Sequence, residues 1–389
     1  MKKTLIFLID AVNPKQITKE TAPFLHTLKK KNYAKIKTLL GYSIGIHPSI
    51  WIGKYQPDHG VFVTFSRDEK NSSFKWANSL RVIPSFIRKY ILSILKLPYY
   101  TLEKLRTKWS KWYIEKIIHY PPLLPPEIAY HFVHGDMNPK GDSLFDILKR
   151  RKISFSTQTD VENYFFENII PLEKFEITDK KIDFYYIYEP DGKGHLFGPY
   201  SKEIGKVIKK IDNKIKELYE KALNKYGDVD IIIFSDHGMC EIKHFVDVKS
   251  YFDKAGLING KDYLAFYNST IVQLWVLNKK REDEILKVSK KMKHATLLDK
   301  KLLKKYHLDG LNKYKYGEYF ILADPETRIY PDYFAPVKVG IKGWHGFSPD
   351  FEDSYGIFIS NFKINKKIID IIDLLPIFLW RLINSKPYK

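Results

Sequence analysis

Three apolar runs rich in β-branched and aromatic residues each stop at a carboxylate. Residues 4–9 end at Asp10, residues 182–188 end just before Asp191, and residues 230–234 end before Asp236. Between the last two runs, Ile204, Val207, Ile208, Ile211, Ile215, Leu218, Tyr219, Ala222 and Leu223 recur with the period of one helix face. Short buried strands separated by long amphipathic helices predict an α/β fold, a doubly wound and mainly parallel sheet flanked by helices. In such sheets ligands bind beyond the carboxyl ends of the strands. The carboxylates stand at those ends.

A length of 389 residues suggests two domains, or one large domain with an insertion. The expected core is 1–80, 119–243 and 338–389. Residues 81–118 read as a basic, aromatic helical insertion, with Ile83, Phe86, Ile87, Tyr90 and Ile91 at helical spacing. The prolines from Pro121 to Pro126 close it as a linker. Residues 244–337 mix helical and strand-like pieces and read as a small α+β cap that sets substrate specificity.

One Cys in the whole chain excludes a disulfide framework and a Cys-ligated structural zinc site. Lys and Arg number 65 against 45 Asp and Glu, a formal charge of +20. Such a surface attracts phosphates, nucleic acid or anionic lipid. The first apolar run reaches Asp10 after six residues, shorter than the roughly 7–15 of a signal-peptide core. The expected compartment is therefore the cytoplasm, with peripheral contact with an anionic membrane as a further expectation.

Five pieces of sequence concentrate metal-ligand residues at strand ends or in adjoining loops. They are Asp10; Ser43 to His47; Asp191-Gly-Lys-Gly-His195; Ser235-Asp236-His237-Gly238; and Trp344-His345-Gly346. Asp191 and His195 fall on what reads as a Gly-rich turn. Asp10, Asp191, His195, Asp236, His237 and His345 supply six oxygen or nitrogen ligands, and Ser43 a hydroxyl. That suffices for two divalent ions with three protein ligands each. Mixed Asp/His ligation suits Zn²⁺, with Mn²⁺ the other candidate. Two such ions would stabilise the entering and leaving oxygens of an in-line displacement at phosphorus.

These pieces resemble the alkaline phosphatase superfamily, in its type I phosphodiesterase/nucleotide pyrophosphatase branch. Ser43 is followed by His47, Gly53, Tyr55 and His59-Gly60 at that branch's offsets, and Pro190-Asp191 to Gly198-Pro199, Ser235 to Met239 and His345-Gly346-Phe347 follow in order. The resemblance implies an alkaline-phosphatase-like fold. It implies one metal held by Asp191, His195 and His345, and a second held by Asp10, Asp236 and His237 beside Ser43. It also implies a covalent phospho-Ser43 intermediate in the hydrolysis of a phosphodiester or pyrophosphate bond. The expected substrate is a phosphodiester, nucleotide or phospholipid-type molecule. Thr64 stands where the family places an Asn that contacts a phosphate oxygen, so it is the expected substrate-binding residue.

Two other readings remain at this stage. One is a phosphomonoesterase, phosphonate hydrolase or phosphoryl transferase of the same superfamily; against it, no Arg stands near Ser43 in sequence to clamp a dianion. The other is a basic membrane- or nucleic-acid-binding protein whose metal site is idle; against it, all six ligand positions and the hydroxyl are kept.

Overall fold

The three runs that end at carboxylates form neighbouring parallel strands. Lys3–Ile9 lies between Ile182–Ile187 and Val229–Phe234, in the register Leu8 to Tyr186 on one side and Leu8 to Phe234 on the other. They are the centre of a seven-stranded sheet ordered Ile368–Asp370, Tyr33–Lys37, Gly356–Ser360, Val229–Phe234, Lys3–Ile9, Ile182–Ile187, Phe155–Thr157. Only Gly356–Ser360 runs antiparallel to its neighbours. The computed structural model describes residues 2–84, 119–121, 123–135, 138–158, 170–334 and 340–383, with isolated positions 87, 91, 94 and 107. Most of the 81–118 insertion, including Phe86 and Tyr90, lies outside the described residues.

The chain divides into two units, and the sheet belongs to the first: Met1–Phe62, Met137–Lys243 and Ile341–Lys389. Alternation along the central strand sends Leu5, Phe7 and Ile9 to one face and Ile6 and Leu8 to the other, as period 2 requires. On the first face, the helix Lys202–Tyr226 buries Ile204, Ile208, Ile211, Ile215 and Leu218. It is the helix that the sequence period predicted, extended slightly at each end. On the opposite face, the helices Ser43–Ile52, Leu144–Arg150 and Leu374–Ile383 pack through Ile46, Ile50, Leu144, Leu148 and Ile377. Among the described residues, no helix is long and apolar enough to cross a membrane.

The second unit, Val63–Asp136 with His244–Gly340, is α+β. Its antiparallel sheet is ordered Tyr263–Tyr267, Ile271–Val276, Tyr319–Ala323, Ala295–Leu297. Two boundaries differ from the sequence expectation. Residues 63–80 and 119–136, expected in the core, belong here, because Phe65–Arg67 pairs with Phe132–His134 and Phe65 stacks on Phe266 at 4.9 Å. The proline segment is no loose linker: Leu124 and Pro126 are buried, and Tyr120 Oη donates to the Leu124 carbonyl at 2.6 Å.

The helix Ser43–Ile52 matters most for the site, and two contacts hold it. Trp51 is fully buried among the rings of Phe145, Phe184, Phe234 and Phe378, with centroids 5.1–6.1 Å away. That packing carries the helix through Pro48, whose missing N–H removes one ladder bond. The second contact is buried His59. Its Nδ1 accepts from Val61 N at 3.2 Å, so Nε2 carries the proton and donates to Ser49 Oγ at 2.9 Å. Ser49 Oγ in turn donates to the Gly45 carbonyl, one turn along the helix.

Burial, reinforced by the Lys54 charge, pushes the His59 imidazole down to about 3. Its ordinary value is 6.5, so below that pH the unfolded chain binds a proton that the folded chain refuses. The stabilisation from His59 is complete above pH 6.5 and is lost as pH falls toward 3, at up to about 1.4 kcal/mol per pH unit. Urea unfolding at pH 7.5 and pH 5 should show wild type losing about 2 kcal/mol more than His59→Gln, the other histidines cancelling between the two. Equal losses would refute the assignment.

Candidate active site

All six ligand residues and Ser43 lie in the first unit, and the strand order explains how they meet. Asp10 directly follows the central strand and Asp236 follows its neighbour one residue beyond Ser235, so parallel register brings the two carboxylates side by side. Ser235 fastens that junction: its Oγ donates to the Val12 carbonyl at 2.6 Å and accepts from Ile357 N at 2.9 Å. Between the ligands, Ala11 adopts φ 59°, a conformation uncommon for a residue with a side chain. The turn aims the Ala11 N–H at Asp236 Oδ1, 3.4 Å away.

The ligands fall into two groups. In each, three ligand atoms lie within 4.8 Å of one another: Asp10, Asp236 and His237 in one, Asp191, His195 and His345 in the other. In the first, His237 Nε2 is 3.5 Å from Asp10 Oδ1 and 3.3 Å from Asp236 Oδ2, and Ser43 Oγ is 2.9 Å from the same Nε2. In the second, Asp191 Oδ1 is 3.3 Å from His195 Nε2 and 3.4 Å from His345 Nε2. The groups adjoin, with the His237 and His345 rings stacked at 4.1 Å.

Asp191 and His195 are not on a turn, as their glycines suggested, but on the helix Glu189–Phe197. Their spacing of four puts both on one helix face, and the glycines serve packing. A Cβ at Gly343 would lie 2.5 Å from the Gly194 carbonyl oxygen, so the strand Gly343–Trp344 reaches this helix only without a side chain there. That approach lets His195 Nδ1 donate to the Gly343 carbonyl at 2.9 Å, and it sets His345 two residues beyond.

Further contacts fix which atoms face the centre. His237 Nδ1 donates to the Gly238 carbonyl at 2.9 Å, so in His237, as in His195, the Nε2 lone pair is the one presented. Tyr186 Oη donates to Asp10 Oδ2, and His47 Nε2 donates to Asp236 Oδ2 at 2.8 Å. The remaining buried oxygens, Asp10 Oδ1 and Asp191 Oδ1, accept no hydrogen bond.

The electrostatics match that geometry. Burial, then the negative charges of Asp236 and Asp191, raise Asp10 well above the usual carboxylate range. Burial would raise Asp191 too, but the close approach of the His195 imidazole, then those of His345 and His237, hold it at about 2. Burial likewise opposes ionisation of Asp236, yet His237 and His47 keep it below the ordinary range. His345 is pushed well below its usual value by burial and by His237. Three buried carboxylates, two of them with an orphaned oxygen, and the imidazoles of His195 and His237 turned lone pair inward form a donor set that suits divalent cations.

Thr64 belongs to the second unit, just before Phe65–Arg67, where its carbonyl accepts from Gly135 N at 2.7 Å. Sequence reasoning gave His47 no role beyond its spacing and did not single out Tyr186. The offset of four from Ser43 was the available signal for His47. Tyr186 lay within an apolar strand, where an aromatic reads as core.

The sequence matches the type I phosphodiesterase/nucleotide pyrophosphatase family over residues 4–348. It is 28% identical over 240 residues to a venom phosphodiesterase of Crotalus durissus collilineatus, a match covering 54% of this chain and 27% of that protein. Human bis(5′-adenosyl)-triphosphatase ENPP4 is 40% identical over 73 residues, 18% of this chain and 16% of that protein. The matched region thus spans about a quarter or less of these curated relatives. Human ectonucleotide pyrophosphatase/phosphodiesterase 5 has the same fold: TM-score 0.66 at 17% identity, covering 100% of this chain and 96% of that one. The murine counterpart, solved as an inactive variant with AMP, gives 0.65 at 17% identity, with the same coverage. With the match spanning most of the chain, this protein belongs to the type I phosphodiesterase/nucleotide pyrophosphatase family.

Proposed function

We propose that the chain is a two-metal hydrolase that cleaves a phosphodiester or pyrophosphate bond through a covalent intermediate on Ser43. The observation that carries this reading is the placement of the Ser43 hydroxyl against one of two adjoining three-ligand groups in a single unit. Asp10, Asp236 and His237 would hold one divalent ion, and Asp191, His195 and His345 the other, with Zn²⁺ or Mn²⁺ suited to the donors. When bound, such ions supply Lewis acidity and neutralise charge on the entering and leaving oxygens.

Ser43 is only partly buried at the first position of its helix, so a phosphate can reach its Oγ. No side chain caps that helix end, which leaves the positive end of the dipole facing the incoming anion. Attack forms the Ser43 Oγ–phosphorus bond and breaks the bond to the leaving oxygen. The serine proton passes to solvent, and the leaving oxygen is protonated from it. Water then attacks phosphorus, displaces Oγ and regenerates the hydroxyl. His47 and Tyr186 act by holding Asp236 and Asp10 in position rather than by touching substrate.

Within the first unit, the arginines favour a diester over a monoester, the basic insertion's Arg81 and Arg88 standing outside that unit. The first unit contains Arg150, Arg151 and Arg381. Arg381 is held by Asp230, at the opposite end of its strand from Asp236. Arg150 pairs with Asp142 at 2.7 Å, and both it and Arg151 precede the start of the strand Phe155–Thr157. None supplies the guanidinium fork that a phosphate dianion rewards. The AMP bound by the murine structural neighbour supports a nucleotide as the retained group.

Bis-p-nitrophenyl phosphate should be hydrolysed faster than p-nitrophenyl phosphate by one preparation, and the reverse order would sink the diester assignment. Chelation should abolish turnover, and added Zn²⁺ or Mn²⁺ should restore it. Ser43→Ala should lower kcat by about 10³-fold or more while elemental analysis still finds two metals per chain. Near-normal turnover in that variant would remove the covalent step.

A further inference from the structure

In-line displacement places the attacking and leaving oxygens on opposite sides of phosphorus. Ser43 Oγ lies against the group of Asp10, Asp236 and His237. The leaving oxygen therefore falls on the side of Asp191, His195 and His345. Two of those residues come from the helix Glu189–Phe197, so what else that helix presents beside them borders the leaving group.

A helix turns by about 100° per residue. Going round this one from Asp191, His195 follows at about 40°, Tyr188 at about 60°, Gly192 at about 100° and Leu196 at about 140°. The ligand face thus runs directly into an apolar strip. Tyr188, at the helix N-cap, is 41% exposed and Leu196 is 53% exposed. An exposed aromatic ring next to a cluster of polar ligand residues is the usual lining of a small-molecule site.

The local packing is specific. The Tyr188 ring lies over Gly192, where a Cβ would stand 3.1 Å from Tyr188 Cε1 and 3.2 Å from its Oη. Glycine at 192 thus leaves room for the ring to lie against the helix. The phenol is raised from its usual value by burial and then by the charges of Asp191 and Asp10, so its oxygen lies within the field of the site.

We propose that Tyr188, backed by Gly192, is a platform for the leaving group and selects phosphodiesters whose leaving alcohol carries a flat apolar body. This rests on the diesterase reading of the same site. Stacking an aromatic ring on Tyr188 would contribute at ground state, so the platform acts on substrate affinity more than on the chemical step.

The test is binding to Zn²⁺-loaded Ser43→Ala protein, with two thymidine 5′-phosphate esters of equal charge, p-nitrophenyl and methyl. The aryl ester should bind about tenfold more tightly, in line with what one aromatic stack contributes. Adding Tyr188→Ala should remove most of that difference and leave methyl ester affinity within about twofold, while Tyr188→Phe should keep the preference. Equal affinity for the two esters, or equal weakening of both by Tyr188→Ala, would overturn the platform. In the wild type, Tyr188→Ala should raise KM for the aryl ester with little change in kcat. A binding preference without wild-type turnover would strike the hydrolase reading alone, and turnover without a preference would strike the platform alone.

Discussion

The first unit is organised around a repulsion. Asp10, Asp236 and Asp191 are buried close enough that their charges act on one another, and burial works against ionisation of each. Like charges in a low dielectric cost several kcal/mol unless something positive compensates them. Protein groups compensate only partly. Tyr186 and His47 each satisfy one oxygen, and the histidines lower Asp191 and Asp236 but leave Asp10 raised. Divalent cations in the two candidate ligand groups would supply the remaining compensation, and folding and metal binding would then be one coupled equilibrium.

Holding such a centre requires a rigid surround, and the sheet provides it. Parallel register fixes Asp10 beside Asp236 with no loop long enough to let them drift apart. Ser235 ties the strand end to both neighbouring segments. The packing of Trp51 among four phenylalanines sets the height of the Ser43 helix over the sheet. His59 then locks the first turn of that helix through Ser49. The second ligand group depends on the close passage of Gly343 past Gly194, which a single methyl group would block.

What the sequence revealed follows from what periodicity and spacing can encode. Strands and the long helix were legible because burial imposes a period of 2 or 3.6 on them. The candidate ligand groups were legible because their residues stand where strands end and because their order and offsets match a known family. The helix Glu189–Phe197 was not, because its two glycines and a proline in nine residues look like a turn. Its helicity is imposed by packing against Met239 and Gly343, which local propensity does not record. The grouping of residues 63–80 with 244–337 was hidden for a similar reason. It rests on aromatic contacts such as Phe65 on Phe266, made across about 200 positions of sequence. Tyr186 and His47 were concealed by context, since a strand tyrosine and a helix histidine read as core until their partners are seen.

The same helix carries two metal-ligand positions and a strip of uncovered apolar surface, and the two features have different physical demands. The ligand face is set by i,i+4 spacing and by the backbone contact with Gly343, so it tolerates no change in helix phase. Tyr188 and Leu196 sit on the solvent side of that phase, where a substitution would not disturb the ligands. A side chain there can vary in size and polarity while Asp191 and His195 stay in place. Chemistry and selectivity are thus separable on one short helix. In the proposed reaction, the charge-bearing oxygen of the leaving group would meet a fixed site, while the body attached to it would meet a surface free to differ.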